Sequence, residues 1–162
     1  MGSFNLRYER SIIMGTRSRV GVMHGDKCKS IYIHWDGYLS RVGATLLEHY
    51  DSAKANHLVA LGDVSSLCQN IEIPEGVEHS FESPAEGITI FYGRDRKENG
   101  CEFSVDHTFE DFMQRVSDSG AEYYYIMRDG VWYVGSVYDV DGLVAGGLVP
   151  LSNALFRKKL VN

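Results

Sequence analysis

SRVGVMHGDKCKSIYIHW, residues 18–35, decides the fold. Two apolar-rich runs, 18–24 and 29–35, flank Gly25-Asp26-Lys27. Such turn residues between β-rich runs read as an antiparallel hairpin. In the second run Ile31, Ile33 and Trp35 alternate with Tyr32 and His34. A strand turns successive side chains to opposite faces, so the two sets are expected on opposite sides of a sheet. Trp35 is expected to anchor the core.

Beyond Gly37 the period changes. Val42, Leu46, Leu47 and Tyr50 fit one face of a helix. Ala53, Leu58 and Leu61 fit a second, with Asp51 or Ser52 as its N-cap and Gly62 as its stop. DVSSL, from Asp63, is expected to start another short turn or helix. Residues 70–87 carry Pro74, Gly76, Pro84 and Gly87 and form a long connection, a type that is often functional. ITIFYG, 88–93, reads as a strand and RDRKENG as a polar loop. Thr108 is placed to cap a helix whose apolar face is Phe109, Phe112, Met113 and Val116. Asp129-Gly130 divides a second hairpin, 121–138. A short helix is expected over 152–160. Residues 1–13 read as an N-terminal extension before Met14, and 14–162 as one domain. The order predicts an α+β fold: an antiparallel sheet of about five strands with helices packed on one face.

The 162 residues suffice for one sizeable core. A net charge of −6 argues against binding a nucleic acid polymer, which needs basic patches. No run approaches a membrane span, and no secretory signal is visible at the start. Cys28, Cys68 and Cys101 show no C-x-x-C spacing, so neither a disulfide framework nor a zinc site is expected. A reducing cytoplasm is the expected compartment.

Two strand ends concentrate chemistry. At the first, His34 and Asp36 stand two apart, a spacing that serves a metal or a base with its orienting acid, or merely a turn. No H-x-x-x-H or second H-x-D accompanies them. No metal or cofactor is expected. At the second, Tyr92-Gly93-Arg94-Asp95-Arg96 sets two arginines beside an aromatic ring. Guanidinium forks match phosphate oxygens and stack on rings. The bland alternative is a solvated charged loop. Arg17 and Arg19 add positive charge at the start of the first strand. The chain has no G-x-S-x-G, no S-x-x-K and no phosphate-binding glycine loop. The Tyr123-Tyr124-Tyr125 run reads as strand core and rim.

MGTRSRVGV, SIYIHWDGYLSRVGATLLEHY, LGDVSSL, EHSF and FYGRDR, in that order, resemble a group of small proteins of tailed bacteriophages over residues 14–97. The strand–His34-Trp35-Asp36-Gly37-Tyr38–helix segment is similar, more remotely, to phage sponge proteins that block Thoeris immunity by sequestering a cyclic ADP-ribose derivative. The similarity rests on Tyr32, His34, Asp36, Gly37 and Tyr38; FYGRDR has no counterpart there. It implies a phage protein in the host cytoplasm, a homo-oligomer, that binds a small phosphorylated nucleotide ligand without turnover. Arg17, His34, Asp36, Tyr38, Tyr92, Arg94 and Arg96 are the expected ligand-binding residues. Arg94, Arg96 and Arg17 would neutralise phosphates and Tyr38 and Tyr92 would stack on bases. His34 and Asp36 would bond ribose hydroxyls or fix the loop. Two alternatives remain: a nucleotide hydrolase using His34 and Asp36, and an inhibitor of a host enzyme docking through the 121–138 hairpin edge.

Overall fold

The computed structural model describes residues 15–161, so the 1–13 extension lies outside the described residues. The expected first hairpin is present. Strand β1 (Ser18–His24) pairs with β2 (Lys27–Ile33) in a continuous register from Ser18↔Ile33 to His24↔Lys27. The second hairpin joins β6 (Tyr123–Arg128) to β7 (Val131–Ser136). Its two turn residues, Asp129 and Gly130, have φ of 51° and 77°. That double positive φ matches the right-handed strand twist, which is why Asp-Gly stands there.

The sheet is larger than expected and mixed. Its order is β4-β3-β2-β1-β6-β7-β8. β1 and β6 run parallel, as do β2 and β3 (Val64–Ser66). DVSSL is therefore an interior strand rather than a turn or helix. β4 (Ile90–Phe91) extends β3, and β8 (Val149–Pro150) extends β7. β5 (Ser104–Asp106) pairs with Cys28–Ser30 on the edge of β2 that β3 takes at Ile33. The expectation of five antiparallel strands fails for a physical reason. β3, β4, β5 and β8 are two or three residues long, too short for an alternating pattern, and parallel pairing joins strands far apart in the chain.

Helices cover both faces, not one. On the front face lie α1 (a π-helical turn, Leu39–Gly43), α2 (Ala44–His49), α3 (Ser52–Ala60) and α6 (Leu151–Val161). They bury Leu39, Leu46, Leu58 and Leu151 against Val20, Val22, Ile31, Ile33, Tyr125 and Trp132. On the back face, α5 (Phe109–Asp118) packs Phe112 and Val116 on Cys28, Tyr124 and Ile126. The caps are as expected: Asp51 Oδ1 accepts the Lys54 N–H at 2.9 Å, and Thr108 Oγ1 accepts that of Asp111 at 3.0 Å. Gly62, at φ 94°, ends α3.

Tyr124 shows how tightly the back face is closed. Its ring crosses Gly135, its partner on β7, and its hydroxyl donates to Gly147 O at 2.5 Å. A Cβ on Gly135 would overlap both that ring and the Gly147 carbonyl. Gly135→Ala is expected to destabilise the protein by about 2 kcal/mol, the typical cost of overpacking. Urea denaturation should show a lower midpoint with an unchanged slope.

Candidate functional site

The His34-Trp35-Asp36-Gly37-Tyr38 segment is a crossover, and its glycine is sterically required. Gly37 N–H donates to Thr16 O at 2.7 Å, and Gly37 O accepts the Tyr125 hydroxyl at 2.7 Å. A Cβ there would lie 2.7 Å from Ser18 Cβ and 2.8 Å from Thr16 O. Asp36 takes φ 55° to enter this turn and faces Arg41 at 3.7 Å. Both side chains are largely exposed, so the pair adds little stability. Tyr38 is half-buried against the front core. The turn thus directs Asp36 and Tyr38 away from the back face.

The back face beyond α5 collects the other aromatics. Strand alternation puts Tyr32 opposite Ile31 and Ile33, as the sequence indicates. Its hydroxyl lies 2.8 Å from His34 Nδ1. Burial raises the Tyr32 pKa, with the Arg17 and Arg19 charges opposing that rise and Tyr92 and Asp63 adding to it. Tyr32 is therefore the hub on which Arg17, Arg19, Tyr92 and Asp63 all bear. Burial, and then the Arg17 charge, hold His34 below the ordinary histidine value. The phenol and the neutral imidazole share one proton across this contact, either hydroxyl to Nδ1 or Nδ1–H to the phenol oxygen. Trp35 does not anchor the core. β2 ends at Ile33, and the indole, 36% exposed, packs edge-on to His34 with centroids 4.6 Å apart.

Tyr92 enters from the far side of the face. Phe91 points into the front core, so the next residue turns outward at the start of α4 (Tyr92–Arg96). FYGRDR is thus the end of a strand followed by one helical turn, rather than a longer strand and a loop. The Tyr92 ring lies 5.6 Å from Phe81, and the Arg96 guanidinium covers Phe81 at 4.7 Å. Burial raises the Tyr92 pKa, partly offset by Ser65.

Arg94 is occupied elsewhere. Its Nη1 donates to Ile71 O at 2.6 Å, its Nη2 to Thr89 O at 2.9 Å, and its Nε to Asp95 Oδ1 at 2.8 Å. Asp95 Oδ2 also accepts the Phe91 N–H at 2.8 Å and faces His79 Nε2 at 3.2 Å. His79 Nδ1 accepts the Ala85 N–H at 2.9 Å, which places its proton on Nε2, facing Asp95. His79 and Asp95 are 0% and 2% exposed. This clamp fastens the long 70–87 connection to α4 and holds Phe81 beside Tyr92.

Of the expected ligand residues, Arg17 acts electrostatically on Tyr32 and His34, Tyr92 acts on Tyr32 and lies against Phe81, and Arg96 covers Phe81. The structure sends Arg94, Asp36 and Tyr38 elsewhere. His34 and Asp36 are bonded to Tyr32 and Arg41, not to each other. The 121–138 hairpin edge is taken by β8, which pairs with Tyr133 and Val134. Sequence reasoning left Tyr32, Asp63 and Phe81 out of the site and counted Arg19 only as added charge. The Arg19↔Tyr32 pairing in the first hairpin is the signal that places Arg19 on this face. Among the described residues no group of three or more His, Cys, Asp or Glu could hold a metal ion, and no helix is long and apolar enough to cross a membrane. No protein-family model, no curated protein and no solved structure matches the chain.

Burial raises the Asp95 pKa, but bonds from Arg94, Phe91 and His79 outweigh it and hold the carboxyl below the usual range. Such a group stabilises the fold fully above its unfolded value, about pH 4, and loses that contribution as pH falls through the folded value. Arg94→Ala is expected to cost about 3 kcal/mol, because it strands a buried carboxylate. Asp95→Asn should open a stability gap from the natural protein above about pH 4 that narrows below it. Urea titrations across pH measure both, and limited proteolysis should cut the 70–87 connection first.

Proposed function

We propose that this protein binds a small nucleotide-derived ligand on its back face and holds it without turnover. In this reading it is a phage anti-defence protein of the host cytoplasm that withdraws an immune signal of the cyclic nucleotide or cyclic ADP-ribose type. The observation that supports the reading is the half-buried Tyr32–His34 pair, bonded at 2.8 Å, on which the Arg17 charge acts and which Tyr92 approaches through Tyr32. Arg17 bonds the phosphate, since no carboxylate pairs with it among the described residues. His34 Nε2 bonds a ribose hydroxyl. Tyr92, Phe81 and Trp35 supply ring faces for a base.

Binding is favoured over catalysis because the inner nitrogen of His34 meets a phenol, not a carboxylate. The imidazole therefore lacks the acid that orients a general base. Self-association, the other part of this reading, is supported by exposed apolar surface. Phe156 and Leu160 on α6, with Tyr138 and Val144 in the loop after β7, are 62–74% exposed.

Isothermal titration against cyclic mononucleotides and cyclic ADP-ribose tests the reading. At least one is expected to bind, and mass spectrometry after heat release should recover it unchanged. Arg17→Ala should weaken binding by about tenfold or more, the loss expected for charge-assisted hydrogen bonds. Absence of binding across the panel, or recovery of a cleaved product, would overturn it.

A further inference from the structure

Ten large apolar side chains among the described residues are exposed, and seven of them lie on α6 or beside it. Single exposed apolar residues are ordinary, whereas a cluster of them marks an interaction surface. Along α6 the exposed positions include Ser152, Asn153, Phe156 and Leu160, spaced three and four apart and so on one helix face. The N-terminal end of this stripe opens into a groove of about 710 Å³, where Ser152 lies with Leu47, Glu48, Asp51, Val131 and Trp132. Leu47 and Val131 are both exposed.

The loop after β7 stands beside the C-terminal half of α6. Lys158 Nζ donates to Asp141 Oδ1 at 2.9 Å, and the Tyr123 hydroxyl donates to Asp141 Oδ2 at 2.6 Å. Ala145 N–H donates to Asp139 Oδ1 at 2.7 Å, and Gly146 N–H to Ser136 O at 2.9 Å. These bonds tie the loop to α6, β6 and β7, and they present Tyr138, Val140 and Val144 next to the helix.

The charges on this surface are polarised along α6. The helix has no acidic residue, and its exposed cations, Arg157 and Lys159, stand in the C-terminal half. Lys158 is taken by Asp141. Glu48 and Asp51 line the groove at the opposite end. Asp51 caps α3, and Glu48 lies 3.8 Å from the His49 imidazole. A surface with cations at one end and anions at the other complements itself when turned by a two-fold axis. A parallel arrangement would instead set Arg157 against Arg157. The lengths agree: Ser152 to Leu160 spans about 12 Å of helix, with Phe156 midway.

We propose that this surface is a two-fold interface with a second copy of the chain. The two α6 helices lie antiparallel and the Phe156 rings meet at the axis. Leu160 enters the partner's groove between Leu47 and Val131, and Arg157 faces the partner's Glu48. This specifies the self-association in the reading above and rests on that part of it, not on the ligand.

Sedimentation equilibrium of the full chain without nucleotide tests it. A monomer–dimer equilibrium is expected. Phe156→Asp should raise the dimer dissociation constant by about tenfold or more, because it replaces the apolar anchor at the centre with a charge. Glu48→Arg and Arg157→Glu should each raise it by about tenfold, since like charges then meet twice across the axis. The two changes combined should return it close to the natural value, because the pair is inverted rather than lost. Misfolding could not produce that recovery. A natural protein that stays monomeric overturns both the interface and the self-association but not the nucleotide binding. A dimer unmoved by Phe156→Asp, or a combined variant as weak as the single ones, overturns the interface alone. A trimer or larger species overturns the two-fold arrangement.

Discussion

Both edges of β1 are occupied along most of its length, and the rest of the molecule is arranged around that constraint. One edge carries β2 antiparallel, the other β6 parallel. The parallel pairing runs from Ser18↔Tyr123 to Val22↔Met127, joining the first hairpin to the second. A strand bonded on both sides must be apolar or closely packed on both faces. Ser18 to Met23 are all buried. Gly21 is part of that economy of space, because a Cβ there would lie 2.7 Å from Cys28 Sγ. Two buried bonds lock the halves further: Tyr125 to Gly37 O and Trp132 Nε1 to Tyr50 O at 2.8 Å.

This joint explains the two unequal faces. The front face is covered by α1, α2, α3 and α6 and is almost wholly apolar. The back face receives only α5, which reaches Cys28, Tyr124 and Ile126. Tyr32 and His34 lie outside that cluster. Polar groups there satisfy one another in part: Tyr32 with His34, Arg19 with Ser30, Asp63 with the Tyr32 backbone.

The clamp of Arg94, Asp95 and His79 works at one remove from this face. It ties the 70–87 connection to α4, so Phe81 stays beside Tyr92 without a regular element to hold it. Two arginines in one short motif thus have different tasks. Arg94 turns inward to carbonyls and a carboxylate, while Arg96 lies outside over a ring. A one-turn helix separates them, because residues two apart on a helix do not share a face.

Local signals were enough to determine both hairpins, the caps of α3 and α5, and the opposition of Tyr32 and His34 to Ile31 and Ile33. Each depends on turn chemistry or a short period that the chain carries within a few residues. The α+β class was legible on the same basis. The parallel joints, the short strands β3, β4, β5 and β8, and the cover on both faces were decided by tertiary structure. Strand edges distant in sequence select one another by fit, and strands of two or three residues leave no periodic trace. The fate of Arg94 has the same origin. Whether a guanidinium is spent on neighbouring carbonyls, as that of Arg94 is on Ile71 O and Thr89 O, depends on what packs around it, and no motif encodes that.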